Sequence, residues 1–167
     1  MTKKDSNTGS AGGILIVANN KKAFHDYEIL TKYEAGISLK GSEVKSIREG
    51  NINLKDTYVK IFGDSRTGKS EIFLVGSHIS PYSHCREEDH ETTRDRKLLL
   101  NRSEIEKIFS ATQLKGLTVV PLKVYFKNRR CKVEIGLGRG KKLHDKRQDL
   151  KKKEASREIA RGLRVKK

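Results

Sequence analysis

The sequence predicts a mainly β protein: an antiparallel barrel of five or more strands, flanked by two or three helices and followed by a basic tail. Three observations carry this reading. Apolar residues recur at every second position over long stretches, and most strands connect through short polar turns. No regular alternation of strand and helix, as a doubly wound parallel sheet would need, is visible. A chain of 167 residues suits one domain with tails and leaves little room for two cores.

Residues 1–12 are small, polar and rich in Gly and Ser, and residues 1–18 are read as a flexible arm. From Tyr27 to Leu39 the odd positions are mainly apolar or aromatic, marking a long half-buried strand. Ser42 offers a helix N-cap, Val44 and Ile47 share a face, and Gly50 stops that short helix. Ile52–Phe62 and Glu71–Ile79 read as strands, with Gly76 a candidate bulge and Gly63–Ser70 a hairpin loop between them. A polar loop occupies residues 80–97. Ser103-x-x-Glu106 then reads as a capping box opening a helix that Gly116 closes. Leu117–Phe126 and Cys131–Leu137 are two further alternating strands joined by the Lys127–Arg130 turn.

After residue 138 the composition changes. Residues 139–167 hold 13 Lys+Arg against 4 Asp+Glu, more than half of the chain's net +16 charge. Their apolar positions are too sparse for a buried stripe. The acid–base pairs at helical spacing support a helix by only about 0.2–0.5 kcal/mol each. Such a tail is expected to be mostly disordered when free and helical once a polyanion matches its charge. The organisation is therefore an arm at 1–18, a barrel at 19–138 and a basic tail at 139–167.

The charge balance directs attention to a polyanionic partner. No run reaches the roughly 18 apolar residues of a membrane span. Ile14–Ala18 is too short for the apolar region of a secretion signal, so neither membrane insertion nor export is expected. Cys85 and Cys131 make no disulfide framework, which fits the cytoplasm.

Catalytic motifs are weak by comparison. Gly63–Ser70 matches G-x-x-x-x-G-K-S, but the segment after it is strand-like, whereas a phosphate-cradling loop needs a helix there. It reads as a hairpin turn, and a phosphohydrolase is the lesser alternative. His78, His84, Cys85 and His90 are irregularly spaced for zinc. No activated nucleophile or paired general acid and base stands out. No enzyme activity, metal or cofactor is expected.

The positive signal lies in basic clusters: Asn20-Lys21-Lys22, Arg94-x-Arg96-Lys97, Lys127–Arg130, Arg139-Gly-Lys141-Lys142 and Lys146-Arg147. Such clusters supply phosphate donors, and small barrels bind RNA through loops and exposed aromatics. Tyr27, Tyr33 and Tyr125 are stacking candidates, although their alternation with aliphatic residues fits a core role better.

Several stretches together resemble the small protein B (SmpB) family, the transfer-messenger RNA (tmRNA)-binding proteins of bacterial ribosome rescue. They include Asn20–Tyr27, Tyr33–Gly36, Gly41–Ser46, Asn53–Asp56, His78–Tyr82, Arg96–Asn101, Tyr125–Asn128 and Gly140–Arg147, in order from about residue 19 into the tail. The resemblance implies a closed antiparallel barrel of oligonucleotide-binding (OB) type. It implies binding to the tRNA-like domain of tmRNA and delivery of that RNA to stalled ribosomes for trans-translation. A barrel protein bound to ribosomal RNA is the alternative. Asn20, Glu34, Leu99 and Lys132 fall at the family's RNA-contacting or RNA-supporting positions, with Lys21 and His25 beside them. Arg139, Lys141, Lys142, His144, Asp145, Lys146 and Arg147 match the start of the family's tail, which acts in the decoding centre and senses the empty mRNA channel. Elongation factor Tu and alanyl-tRNA synthetase are the implied working partners.

Overall fold

In the computed structural model, residues 13–64, 69–84, 90–142 and 144–145 are described. The expected N-terminal arm up to residue 12 and nearly all of the tail lie outside them.

Among the described residues nine strands and three helices follow in the order β1 (Leu15–Asn19), α1 (Lys21–Asp26), β2 (Tyr27–Ile37), α2 (Gly41–Arg48), β3 (Ile52–Asn53), β4 (Tyr58–Asp64), β5 (Lys69–Val75), β6 (His78–Ile79), β7 (Arg96–Leu99), α3 (Arg102–Lys115), β8 (Thr118–Lys127) and β9 (Arg130–Gly140). Seven strands form one antiparallel sheet in the order β1-β8-β9-β2-β7-β5-β4, and β3 pairs with β6 separately. The fold is thus mainly β with helices, as expected. The sheet's hydrogen bonds form an open run that ends at β1 and β4. A cleft of about 360 Å³, lined by Tyr58, Lys60, Phe109, Gln113 and Thr118 among others, lies between β4, α3 and the start of β8.

The long alternating strands lie where the period of two places them. Ala35, Ile72, Leu74, Leu98, Val124, Val133 and Ile135 form the main core cluster, and Ile108 of α3 and Ile47 of α2 are buried in it. A smaller cluster of Ala23, Val120 and Leu122 sits beneath α1.

Several boundaries differ from the sequence reading, each for a local reason. Leu15–Ala18, assigned to the arm, belong with Asn19 to strand β1, paired with β8 from Phe126 to Lys123. The second strand divides into β3 and β4 because the Asn53 side chain accepts from Lys55 N at 2.8 Å and starts a turn with Asp56 at φ 58°. The third divides into β5 and β6 at Gly76, whose φ of 74° suits glycine. Arg96 and Lys97, read as the end of a polar loop, belong with Leu98 and Leu99 to strand β7 between β2 and β5. The capping carboxylate of α3 is Glu104, which accepts from Asn101 N at 3.0 Å, one residue after the predicted box begins; Glu106 instead pairs with Arg102. Arg139 and Gly140, assigned to the tail, extend β9 and pair with Glu28 and Tyr27.

The β2–β9 pairing is unusually intolerant of bulk at one point. A Cβ on Gly138 would lie 2.4 Å from the Glu28 carbonyl oxygen. Gly138→Ala is therefore expected to lower stability by about 1–3 kcal/mol, read as an earlier urea midpoint, because backbone must separate to admit the methyl group.

Candidate nucleic-acid interface

The outer face of β7, β2, β9 and β8, opposite the core, carries the main group of candidate residues. Strand register places Leu99 opposite Gly36, Gly36 opposite Lys132, and Lys132 opposite Tyr125, a single row across four strands. Glu34 stands in the next row, opposite Glu134, which in turn faces Lys123. Residues two apart on a strand share a face, so Glu34, Leu99 and Lys132 all point outward together. Leu99 is 54 % exposed, and a Cβ on Gly36 would lie 3.2 Å from Leu99 Cβ, so the missing side chain lets Leu99 lie low across β2.

Glu34 is the hub of this face. Its carboxylate accepts from the Tyr125 hydroxyl at 2.6 Å and from Lys127 Nζ at 3.0 Å, with Lys132 Nζ at 3.9 Å. The Tyr125 and Lys127 hydrogen bonds, aided by the lysine charges, outweigh partial burial and hold the Glu34 carboxyl below the usual carboxylate range. Burial and the same hydrogen bond push the Tyr125 phenol up, so it stays a donor at neutral pH. Tyr125 is only 3 % exposed, with Lys123 Nζ 5.4 Å from its ring centre. Its core-like burial fits the sequence reading, yet its hydroxyl organises the outer surface. Glu134 makes a second hub, with Lys123 Nζ at 2.9 Å and Lys32 Nζ at 3.7 Å. The result is a lattice of lysines whose charges are partly matched and whose positions are set by two carboxylates.

Asn20 serves differently. Its Oδ1 accepts from Ala23 N at 3.1 Å, capping α1, while its Nδ2 donates to the Pro121 carbonyl at 3.0 Å. It pins α1 to β8 and so positions exposed Lys21 and His25; His25 Nδ1 lies 3.0 Å from Asp26 Oδ1.

The root of the tail lies at the other end of β2, seven residues from Glu34, or roughly 23 Å along a strand. Lys141 N donates to the Asp26 carbonyl at 2.8 Å, and Lys141 Nζ donates to the Phe24 carbonyl at 3.1 Å. Lys142 N donates to Asp145 Oδ2 at 3.2 Å. Arg139, Lys142, Asp145, Phe24 and Tyr27 help line a cavity of about 590 Å³. His144 and Asp145 are exposed, and Lys146 and Arg147 lie outside the described residues. The candidate residues thus form two separate groups.

The weaker motifs receive concrete surroundings. Gly63 and Asp64 end β4 and Lys69 and Ser70 begin β5, so the Gly63–Ser70 match leads into a strand and not into a helix N-terminus that could receive a phosphate. His90 has both ring nitrogens engaged, near Ser42 Oγ at 3.0 Å and the Ile79 carbonyl at 3.1 Å. Among the described residues no group of three or more His, Cys, Asp or Glu could hold a metal ion. Burial pushes the Cys131 thiol up to about 12, which leaves it protonated at neutral pH; Cys85 lies outside the described residues. Among the described residues no helix is long and apolar enough to cross a membrane.

Fold and face together define a basic antiparallel-sheet protein with a lysine-rich outer surface organised by carboxylates. The model of the family described as SmpB protein matches residues 17–165. The chain belongs to that family. It is 51 % identical over 150 residues to the SsrA-binding protein of Carboxydothermus hydrogenoformans, covering 90 % of this chain and 97 % of the relative. Identity to the SsrA-binding protein of Geobacter sulfurreducens is 53 % over 154 residues, covering 92 % and 97 %. A chain of the solved structure "tmRNA-SmpB: a journey to the center of the bacterial ribosome" is similar with a TM-score of 0.60 and 43 % identity, covering 75 % of this chain and 85 % of that one.

Proposed function

We propose that this protein binds the tRNA-like domain of tmRNA and delivers it to stalled ribosomes, where the nascent chain is tagged and the ribosome is released. The observation that carries the reading is the single outer face shared by Glu34, Leu99 and Lys132, in a chain of the SmpB family. Lys132 and Lys127 supply phosphate donors, Glu34 offers an acceptor for a ribose hydroxyl or base amino group, and Leu99 adds an apolar contact. In this reading the curled sheet acts as an OB-type barrel at residues 19–138. The basic tail enters the decoding centre through Arg139, Lys141, Lys142, His144, Asp145, Lys146 and Arg147 and becomes helical in the empty mRNA channel. The protein is a cytoplasmic binding factor without catalysis or cofactor, working beside elongation factor Tu and alanyl-tRNA synthetase.

The test is a titration of the protein against the tRNA-like domain, with elongator tRNA as competitor, at two salt concentrations. The tRNA-like domain should be preferred, and the preference should persist at the higher salt, because charge pairing alone is shared by both RNAs and fades with salt. Lys132→Glu should weaken this RNA about tenfold or more, with an unchanged circular-dichroism spectrum. Equal binding of both RNAs would remove the assignment and leave a general basic RNA-binding protein.

A further inference from the structure

The outer face continues past Leu99 along β7 and onto β5 and β4, where none of the candidate RNA-binding residues other than Leu99 lies. Val59 and Ile61 of β4 pack against the core, and Ile72 and Leu74 of β5 are buried within it. Strand alternation therefore turns Tyr58, Lys60 and Phe62 of β4 and Phe73 of β5 to the outside. Lys60, Phe73 and Lys97 stand opposite one another in a row across β4, β5 and β7. Tyr58 is 50 % exposed and Phe62 44 %.

Single exposed apolar side chains are ordinary on a protein surface. Here the pattern is more specific, since two aromatics occupy alternate outward positions of one strand with a lysine between them. Phe73 meets the Phe62 ring edge to face, with centroids 5.3 Å apart and planes at 86°, which fixes the ring's orientation. Lys60 Nζ lies 4.5 Å from the centre of the Phe62 ring. Such a cation is held weakly at an exposed site and is drawn away readily by a phosphate. Lys97 Nζ takes up the Glu71 carboxylate, which stands next to Phe62 in register.

We infer that the outer face of β4 and β5 is a second RNA subsite, on which an unpaired segment stacks bases on Tyr58 and Phe62 while Lys60 takes the phosphate between them. Aromatics interleaved with cations on a sheet recognise single strands because every base has a stacking face and every linkage a charge. Tyr58 and Phe62 are roughly 13 Å apart along the strand, which leaves room for Lys60 to serve the backbone. Lys60 between the two rings, in a chain of net charge +16, favours RNA over another protein as the occupant, and Leu99 on β7 joins this subsite to the Lys132 face. The inference rests on the reading of that face as an RNA surface.

The experiment uses the full chain and a labelled oligouridine of about ten nucleotides, followed by fluorescence anisotropy. Tyr58→Ala and Phe62→Ala should each weaken oligouridine binding about tenfold with no change in salt slope, and Phe62→Trp should bind at least as tightly as wild type. Lys60→Ala should reduce the salt slope by about one. Binding of the tRNA-like domain should change less than about twofold in the aromatic variants, whereas Lys132→Glu should show the opposite pattern. Circular dichroism and melting of each variant separate lost stacking from lost fold, and the tryptophan variant retains a ring. The inference is overturned if oligouridine does not bind, or if the alanine variants bind it like wild type. It is also overturned if Phe62→Leu binds normally, or if wild type is a dimer that Phe62→Ala dissociates, which would assign the face to a second copy. If Lys132→Glu leaves the tRNA-like domain bound while the aromatic variants lose oligouridine, the reading of the Lys132 face fails and the subsite on β4 stands.

Discussion

Glu43→Ala is expected to lower stability by about 3–5 kcal/mol, because it leaves a buried guanidinium without its counter-charge. Glu43 and Arg96 are both fully buried, and Arg96 Nε donates to Glu43 Oε1 at 2.9 Å. The same carboxylate accepts from Arg94 Nη2 at 2.6 Å and from Lys40 N at 2.6 Å, so it joins the start of α2 to the approach of β7. Arg96 also donates to the Ser77 carbonyl at 2.8 Å and to the Thr92 carbonyl at 3.1 Å. Every buried polar side-chain atom among the described residues has a partner, so deleting one carboxylate strands several donors at once. The thermal midpoint should fall by roughly 6–20 °C in a chain of this size. Replacing both partners with apolar residues, Glu43→Leu with Arg96→Met, should recover most of the loss, since the cost lies in the unpaired charge and not in the absence of the bridge.

The pH dependence of the same cluster has a definite sign. Burial pushes the Glu43 carboxyl up, but the Arg94 hydrogen bond, the Lys40 amide and the charges of Arg96 and Arg94 outweigh it and hold the group below its ordinary value of 4.5. A carboxylate depressed on folding contributes its stability above the unfolded value and loses it as pH falls through the folded one. Wild-type stability should therefore be insensitive to this group from neutral pH down to about 4.5 and decline below that, and Glu43→Gln should remove that part of the decline. Chemical denaturation across this range checks it.

This cluster also shows what the sequence could reveal and what it could not. The strands β2, β8 and β9 and the helix α3 were legible because each is long enough for its apolar period to repeat. The six residues of α1 and the four of β7 are too short to show one, and Arg96-Lys97 looks like loop until its partner 53 residues earlier is known. Glu43 was hidden for the same reason: a carboxylate three residues after Lys40 reads as a capping group, and its burial with Arg96 depends on tertiary packing. Of the candidate interface, resemblance supplied Glu34, Leu99 and Lys132, and only the register of four strands brings them onto one face. Asn20 was selected as an RNA-contacting or RNA-supporting residue, and its side chain caps α1 and bonds to Pro121. Tyr58, Lys60 and Phe62 were overlooked although their signal was local, an aromatic, a lysine and an aromatic at alternate positions of one strand.

Truncation after Lys142 is expected to abolish tagging of stalled chains while leaving most of the affinity for the tRNA-like domain. The cut is placed there for a structural reason. Gly140 is the last residue of β9, and Lys141 closes the α1 end through its bonds to the Asp26 and Phe24 carbonyls, so an earlier cut would disturb the globular part. Residues 143–167 carry 10 Lys+Arg against 4 Asp+Glu, a net +6. A general polyanion contact by that segment would show as a shallower salt dependence of RNA binding once it is gone. Sensing of an empty message channel would instead leave binding nearly intact and eliminate the product, because the cost of ordering the tail is met only by the ribosomal contacts that signal vacancy. Two measurements on one variant separate these roles: RNA affinity at two salt concentrations, and tagging in a reconstituted translation system. Normal tagging by the truncated protein would remove the sensing role altogether. A parallel loss of affinity and tagging would make the segment a binding arm whose absence starves the ribosome of its RNA.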